Sequence, residues 1–234
     1  MTTTATSPGS GTPRGRSAGK PRLDRDTIIA AGLELAAAPG ATSISVRELG
    51  ARLGADPTAI YRHFRNKEQL MEALLDELIS LSVAAVDADP NDWRERLREL
   101  AGSTLELFSR YPAIGVEAIV LTTHGPGELD AVELMLDAFS RAGLAGDDLV
   151  RHYALFASHV LSSAAGIARG RSERGGAPGD PSPWFEGPLL ADPRRHPHVA
   201  SVTTSLTDLQ DRELFLLGVE AVIQSAERTA AAAR

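Results

Sequence analysis

The first third of the chain carries a dense series of residues that begin and end helices. A side-chain oxygen just before a helix accepts a hydrogen bond from a free amide of the first turn, so Ser, Asp and Asn are favoured there. Such residues stand before four successive helical patterns, at Asp24, Ser45, Asp56 and Asn66. The pattern predicts helices over about 24–38, 45–54, 57–65 and 66–86, the first ended by Pro39-Gly40.

The second and third predicted helices are separated by a very short turn, Gly54-Ala55 followed by the Asp56 cap. Such a turn forces the two helices to cross steeply, as in a helix-turn-helix unit. The residues that can form the small core at this crossing are Leu49, Leu53, Ile60 and Phe64. Thr58, Arg62 and Arg65 recur at helical spacing, which predicts that they share the opposite, polar face.

A polar and basic helix on such a unit is suited to the major groove of DNA. Arg62 can bond guanine with two donors, and Ala59 permits close approach to the bases. Lys67 begins the next helix, where its ammonium and the free amides can hold one phosphate together. Each of these residues taken singly is equally compatible with an ordinary surface. The predicted DNA-contacting residues are Ser45, Arg47, Thr58, Ala59, Tyr61, Arg62, His63 and Lys67.

Charge is divided unevenly along the chain. The whole chain has a net charge of −7, yet residues 1–70 hold 10 basic and 6 acidic residues. Residues 71–234 therefore carry a net charge of −11, and the attraction for phosphates is confined to the N-terminal end. Residues 1–22 are basic and rich in Ser, Thr, Gly and Pro, which predicts a disordered tail. It is either a solvated tail or an arm that adds phosphate contacts.

Composition excludes several classes of protein. No run of about 18 uncharged apolar residues occurs, so we expect no transmembrane span. The segment 2–19 lacks the apolar core of a signal peptide. Cysteine is absent, which excludes disulfides and thiol catalysis and fits a cytoplasmic protein. We therefore expect a chain that has no membrane partner.

The remainder of the chain also has helical periodicity. The predicted helices cover about 93–111, 113–124, 127–143, 147–171, 198–206 and 209–230. Residues 172–195 contain too many prolines and glycines for regular structure and predict a loop. No strand alternation is visible, so the predicted class is all-α. We expect a disordered tail (1–22), a three-helix helix-turn-helix head (23–70) and a larger helical body for ligand binding and dimerisation (71–234).

Residues 24–75 resemble the DNA-binding domain of TetR-type transcriptional repressors. The features that carry the resemblance are an apolar first helix, then VRELGARLG, then AIYRHFRNKEQL. The resemblance implies a homodimer, an operator with two half-sites and release of the DNA when a small molecule binds. Pro57, Thr58 and Arg62 differ from the tetracycline repressor, so the resemblance does not supply the operator sequence.

A second, local resemblance lies near the C-terminus. The segment ELFLLGVEAVIQSAER (213–228) is similar to the last helix of the tetracycline-repressor-like branch. In that branch this helix and the long helix before the loop form a four-helix dimer interface, which here implies contacts through about 147–171 and 209–230. The small residues between Ala154 and Gly166 permit close helix approach, either to a partner or within the chain.

A small-molecule pocket is expected among the helices of the body, apolar and with few polar groups. The candidate residues are Trp93, Leu97, Phe108, Leu121, Thr122, His124, Leu136, Phe139, Phe156 and His159. His124 precedes a rigid Gly-Pro-Gly turn where a hinge or a ligand contact would fit. Two alternatives stay open: a body that senses a protein partner through Trp184-Phe185, and a DNA binder that has no ligand switch.

Enzymatic and metal sites are weakly indicated. No nucleophile elbow of the form G-x-S-x-G occurs, and residues 15–20 depart from the phosphate-binding loop in spacing. His152 and His159 are seven residues apart and lack a carboxylate at ligand spacing. We therefore expect a regulator rather than an enzyme, without a cofactor or metal.

Overall fold

The computed structural model describes residues 23–38, 40–174, 182–185 and 187–233. In these ranges the chain is helical, and the predicted all-α class is confirmed. The helices are α1 (Arg25–Ala36), α2 (Val46–Leu53), α3 (Pro57–Ile60), α4 (Lys67–Ala84), α5 (Trp93–Arg110), α6 (Pro112–Gly115), a 3₁₀ helix (Val116–Ile119), α7 (Pro126–Arg141), α8 (Gly146–Arg174), α9 (Pro197–Asp208) and α10 (Asp211–Ala232).

The predicted caps begin the helices of the head. The side chains of Asp24, Ser45, Asp56 and Asn66 each accept a hydrogen bond from an amide of the following turn, at 2.8 to 3.4 Å. Gly54 ends α2 in the left-handed region, with φ of 59°. The sequence therefore places the helix boundaries through local hydrogen bonds that do not depend on the rest of the fold.

The helix α4 links the head to the body. Its residues Leu70 and Leu74 lie in a fully buried core with Ile28, Ile60 and Phe64 of the head. Gly32 of α1 lets the two helices approach closely, since a Cβ there would lie 2.7 Å from Leu74 Cδ2. Farther along, α4 packs against α5 and α7 of the body.

The core of the body lies between α5, α7, α8 and α10. Its largest side chains are almost completely buried: Phe108, Phe139, Phe156 and Phe215. The 29-residue helix α8 contacts both α5 and α10, so it runs through the middle of this group. Burial of one such aromatic side chain stabilises the fold by roughly 1.5–3 kcal/mol.

Three predicted elements differ from the structure. Regular α-helix in α3 ends at Ile60, whereas the pattern predicted helix through Arg65. The amides of Arg62 and His63 donate to carbonyls three residues back, a tighter turn that precedes the Asn66 cap. The helix predicted over 113–124 is instead α6 and the 3₁₀ helix, which ends at Ile119. Gly115, where the two meet, lies against Phe108 with no room for a Cβ.

The predicted loop 172–195 begins later than expected. The helix α8 continues to Arg174, and residues 182–185 then return to the start of α10. The Trp184 amide donates to the Leu209 carbonyl at 2.8 Å, and the Asp211 amide donates to the Ser182 carbonyl at 2.8 Å. Residues 175–181 and 186 of this loop, like the tail 1–22 and Pro39, lie outside the described residues.

Two further properties concern whole helices. None of the twelve residues of α9 is buried. In the part of the chain that the structure describes, no helix combines the length and the apolar character that crossing a membrane requires.

Candidate DNA interface and candidate effector cavity

The crossing of α2 and α3 depends on two glycines. Gly50 is buried where the helices meet, and a Cβ there would lie 2.9 Å from the Ala55 carbonyl oxygen. The Ala55 amide donates to the Gly50 carbonyl at 2.9 Å, which closes the turn after the left-handed Gly54. Sequence reasoning singled out Gly54 and missed Gly50, because a glycine inside a helical pattern gives no sign of close approach by another segment.

The predicted DNA-contacting residues lie around this unit, with different exposure. The exposed ones are Arg47, Thr58, Tyr61, Arg62 and Lys67, and the half-buried ones are Ser45, Ala59 and His63. Tyr61 keeps 45% of its surface exposed although it is aromatic. Ser45 is occupied in capping α2 and accepts the Glu48 amide.

Three basic side chains around the α2–α3 unit have no acidic partner in the described part of the chain and can bind a ligand. Within the described residues Arg47, Arg62 and Lys67 take part in no ion pair, whereas Arg52 on the same unit is paired with Glu34. Unpaired Lys and Arg side chains can replace the counterions of DNA phosphates. The unit therefore offers exposed positive charge beside a small, rigid core.

Thr58 makes two hydrogen bonds to Asp56 that the sequence pattern did not show. Its hydroxyl donates to Asp56 Oδ1 at 2.6 Å and its amide donates to the same oxygen at 2.8 Å. These bonds, the hydroxyl first, hold the pKa of Asp56 below its usual value. The Thr58 hydroxyl thus donates inside the protein, which leaves its oxygen as an acceptor.

Arg25 is a further residue that sequence reasoning missed. Its guanidinium lies over the Phe64 ring, 4.5 Å from the centroid, and its Nη1 donates to the His63 carbonyl at 3.4 Å. A cation–π contact of this kind contributes about 0.5–1 kcal/mol at an exposed site. Arg25 therefore fixes the residues that follow α3 against the start of α1.

A small apolar cavity of about 90 Å³ lies in the body between α4, α5, α7 and α8. Its wall is formed by Leu75, Ile79, Leu100, Thr104, Ala118, Leu121, Thr123, Glu128, Ala131, Val132, Met135, Tyr153, Phe156, Ala157, Val160 and Leu161. Two of the predicted pocket residues, Leu121 and Phe156, belong to this wall.

The other predicted pocket residues do not line this cavity. Trp93, Leu97, Phe108 and Phe139 are buried in the surrounding core. Thr122 and His124 are exposed beside the cavity wall, His124 with a left-handed φ of 51°, and Leu136 is half-buried on α7. Apolar periodicity identifies buried positions, and a core position and a cavity position have the same pattern.

His159 lies at a different place, between α8 and α10. Its Nε2 is 3.0 Å from the Phe215 carbonyl oxygen, and its ring stacks on Phe215 at 5.6 Å. It lines an open groove of about 500 Å³ that Trp184 also lines. His152 is buried with both ring nitrogens bonded, to the Asp148 carbonyl and to Ser225 Oγ. Among the described residues no group of three or more His, Cys, Asp or Glu is arranged to hold a metal ion.

The cavity wall is bonded directly to α4 through Asp76. Asp76 Oδ1 accepts hydrogen bonds from Thr123 Oγ1 at 2.7 Å and from the Glu128 amide at 2.9 Å. Its Oδ2 accepts from the Gly127 amide at 3.1 Å. Thr123 and Glu128 both line the cavity, so a side chain of α4 holds the start of α7 at the cavity wall.

The surfaces of α8 and α10 combine ion pairs with exposed apolar side chains. Arg98 of α5 bonds to Glu220 of α10 at 2.5 Å, which raises the pKa of Arg98 and lowers that of Glu220. On the outer faces Leu155 and Leu217 are 52% and 64% exposed. These leucines place exposed apolar area on two helices that pack against each other.

Comparisons with known proteins cover both parts of the chain. The family model "Bacterial regulatory proteins, tetR family" matches residues 28–74, and the model "Tetracyclin repressor-like, C-terminal domain" matches residues 87–229. The chain is 28% identical over 145 residues to the HTH-type transcriptional repressor DrrR1 of Streptomyces coeruleorubidus, across 62% of this chain and 54% of that protein.

Two further similarities extend over most of the chain. An HTH-type transcriptional repressor of Mycobacterium tuberculosis (strain H37Rv) is 29% identical over 213 residues, 88% of this chain and 81% of that protein. The crystal structure of the Streptomyces coelicolor TetR family protein ActR in complex with actinorhodin superimposes with a TM-score of 0.72, at 21% identity, over 89% of this chain and 98% of that one. The last similarity concerns the fold alone.

Proposed function

This chain belongs to the TetR family of bacterial transcriptional regulators, and we propose that it is a homodimeric repressor whose operator binding is released by a small-molecule effector. The family consists of DNA-binding regulators, so the chain is not an enzyme. The observation that carries the proposal is the position of α4. This helix has the phosphate-suited Lys67 in its first turn and the cavity-bonded Asp76 in its middle.

On the DNA side, the proposal assigns the unpaired cations to the operator. Arg62 reads a base, while Arg47 and Lys67 contact phosphates. Tyr61 and His63 are further donors for the backbone, and Thr58 and Ala59 border the bases. Thr58 and Ala59 lie in the short α3, and Tyr61, Arg62 and His63 lie in the tight turn that follows it, so direct readout is limited to a few base pairs. Such a regulator acts in the cytoplasm, where the chromosome lies.

The dimer is proposed to form through the outer faces of α8 and α10. Leu155 and Leu217 supply apolar area there, and the exposed small residues Ala154, Ser158 and Gly166 permit close approach of helices. Two heads on one dimer must reach successive major grooves, about 34–36 Å apart. The distance between the heads is the quantity that an effector must change.

The effector is proposed to bind in the cavity between α4, α5, α7 and α8. Asp76 connects the cavity wall to α4, so a ligand that displaces Thr123 or Glu128 shifts α4 and with it the head. A ligand changes operator affinity only by its different affinity for the two arrangements. ActR has been crystallised with actinorhodin, which supports a small-molecule effector for this fold. The predicted residues Leu121 and Phe156 are the proposed contacts, with His124 at the neighbouring turn.

The proposal is tested by selection of bound duplexes from a random DNA pool by the purified full chain. The expected product is an inverted repeat whose half-sites are separated by one helical turn. Compounds are then screened for loss of binding to that duplex. A selected sequence without two-fold symmetry contradicts the dimeric operator. Operator affinity that no cavity-binding compound changes contradicts the switch.

One observation favours a second candidate for the signal. Trp184 is 58% exposed and lies on the groove that His159 and Phe215 also line. An exposed tryptophan at a groove suits a protein partner. This alternative is favoured if Trp184→Ala abolishes binding of a protein partner and leaves the response of operator binding to small molecules unchanged.

A further inference from the structure

Among the described residues that line the cavity, Glu128 is the one charged side chain. The residues that line the cavity include no Lys, Arg or His, and their other polar members are Thr104, Thr123 and Tyr153. Within the described residues Glu128 has no cationic partner. Glu128 Oε2 accepts from the His124 amide at 2.7 Å and lies 2.9 Å from Thr123 Oγ1. Its charge is therefore balanced by neutral donors alone.

Those donors are insufficient for two carboxylates. The Thr123 hydroxyl lies 2.7 Å from Asp76 Oδ1 and 2.9 Å from Glu128 Oε2. A hydroxyl has one hydrogen to donate, so it serves one of these oxygens at a time. Asp76 also receives the Gly127 and Glu128 amides at the positive end of α7. Glu128 is the carboxylate with the weaker compensation, and it is the one on the cavity wall.

We infer that the effector is a largely apolar molecule that carries one amine, whose ammonium group bonds Glu128. This rests on the proposed function, because it assumes that the cavity is the effector site. An apolar ligand removes water from the cavity, and a carboxylate that loses water without gaining a donor is strongly destabilised. An ammonium supplies both the donor and the opposite charge. A carboxylate or phosphate ligand would meet Glu128 with no cation to accept it.

Occupation of Glu128 also has a consequence for α4. Once an ammonium bonds Glu128, the Thr123 hydroxyl is free to donate to Asp76 continuously. Thr123 thereby moves from a position shared between the two carboxylates to one on Asp76, and this displaces the cavity wall relative to α4. The amine is thus the part of the ligand that reports its presence to the head, and the apolar part supplies affinity.

The cavity sets the size of suitable probes. Its volume of about 90 Å³ is below that of an apolar cavity that holds benzene, about 150 Å³. Probes with a short aliphatic chain and no ring therefore demand the least rearrangement. A matched set small enough for the cavity consists of butylamine, butan-1-ol and butanoate, which carry a short chain without a ring and differ only in the terminal group.

The test is calorimetric titration of the full-length protein with these three probes. The amine should bind about 10-fold more tightly than the alcohol, the gain expected of a hydrogen bond between charged groups. The carboxylate should bind more weakly than both. Glu128→Gln keeps an acceptor for the His124 amide and should reduce the preference for the amine to within about 2-fold. Asp130→Asn, an exposed carboxylate on the same helix, is the control and should leave the preference unchanged.

A cavity-filling variant distinguishes the two claims, that the cavity is the effector site and that the effector is an amine. Ala157→Leu should abolish binding of all three probes. Equal binding of amine and alcohol to the unmodified protein, or a preference that survives Glu128→Gln, rejects the amine class and leaves the cavity as an effector site. Binding that persists in Ala157→Leu shows that the probes bind elsewhere, and rejects both the cavity as the effector site and the proposed switch. Failure of all three probes to bind the unmodified protein rejects the amine class as stated.

Discussion

Asp76, in the middle of α4, accepts a hydrogen bond of 2.9 Å from the backbone amide of Glu128 in the first turn of α7. The first amides of a helix have no partner within that helix. Here a carboxylate from a different helix satisfies them and places a negative charge at the positive end of α7. The two helices are therefore joined by polar bonds that hold one orientation, in addition to apolar packing.

Removal of the Asp76 charge should loosen this junction. In Asp76→Asn the side chain keeps one acceptor oxygen and gains a donor, which opposes the amide of Gly127 or Glu128. We expect a loss of about 0.5–2 kcal/mol in the free energy of unfolding, the range for a lost helix cap. Urea denaturation followed by circular dichroism measures it. Glu77→Gln, the adjacent carboxylate on α4, should change stability by less than about 0.5 kcal/mol.

A methyl group at Gly127 should force α4 and α7 apart. A Cβ there would lie 2.4 Å from the Asp76 carbonyl oxygen, which belongs to helical backbone and cannot rotate away. Gly127→Ala should destabilise the protein by about 1–3 kcal/mol, as overpacking does. Gly102→Ala in α5, where an added Cβ would meet no described residue beyond the neighbouring backbone of its own helix within 4 Å, should instead stabilise by about 0.5–1 kcal/mol. Thermal unfolding distinguishes the two, and equal effects would contradict the close approach.

Arg62 and Lys67, two of the cations of the DNA surface, should affect DNA binding in different ways. Arg62→Ala should weaken the selected operator by about 1–3 kcal/mol and relax specificity at one base pair. Lys67→Ala should weaken selected and random duplexes alike and reduce the slope of log affinity against log salt by about one. Fluorescence anisotropy over a salt series provides both measurements. Arg52→Ala removes a paired cation and should leave the slope unchanged.

The apolar outer face of α10 should control assembly. Leu217→Arg places a charge where the partner is proposed to pack, and light scattering should show a monomer. Leu129→Arg is a matched control on α7, since Leu129 is 66% exposed and Leu217 is 64% exposed. A dimer that tolerates Leu217→Arg would exclude this face as the interface.

The Arg98–Glu220 pair should make the free energy of unfolding depend on pH in the acidic range. The Arg98 guanidinium lowers the pKa of Glu220 in the folded protein, so its contribution is present above the unfolded value, about 4.3, and is lost as pH falls through the folded value. Both side chains are 37% exposed, so the contribution should stay below about 1 kcal/mol. The stability difference between the unmodified protein and Glu220→Gln should therefore be largest near neutral pH and vanish in strong acid. A difference that persists in acid would assign it to packing.

Sequence predicted the parts of this fold that local chemistry decides. The caps at Asp24, Asp56 and Asn66 act within one turn, and each is found where it was predicted. The predicted length of α3 was wrong. The residues after Ile60 are held by the burial of Phe64 and by the contact from Arg25, and the sequence pattern does not show such tertiary contacts. Of the predicted pocket residues only Leu121 and Phe156 line the cavity. The position of a cavity depends on how several helices pack against one another, which a single sequence pattern does not show.

Asp76 illustrates what the sequence contained but did not reveal. A carboxylate in an apolar helix such as LMEALLDELI requires donors if it is to be buried. Its partners lie about 50 positions along the chain, in a Gly-Pro-Gly turn that was noted only for its rigidity. The pairing of these two signals requires knowledge of which helices are neighbours.

The lack of buried residues in α9 has a consequence for the evolution of this protein. Substitutions at the buried positions of a core helix such as α8 leave cavities or clashes, whereas the positions of α9 are all exposed or half-buried. The backbone hydrogen bonds of α9 should also open at a small free-energy cost, so that its amide hydrogens exchange rapidly with solvent. The segment 197–208 should therefore accept more substitutions during evolution than the buried positions of α8.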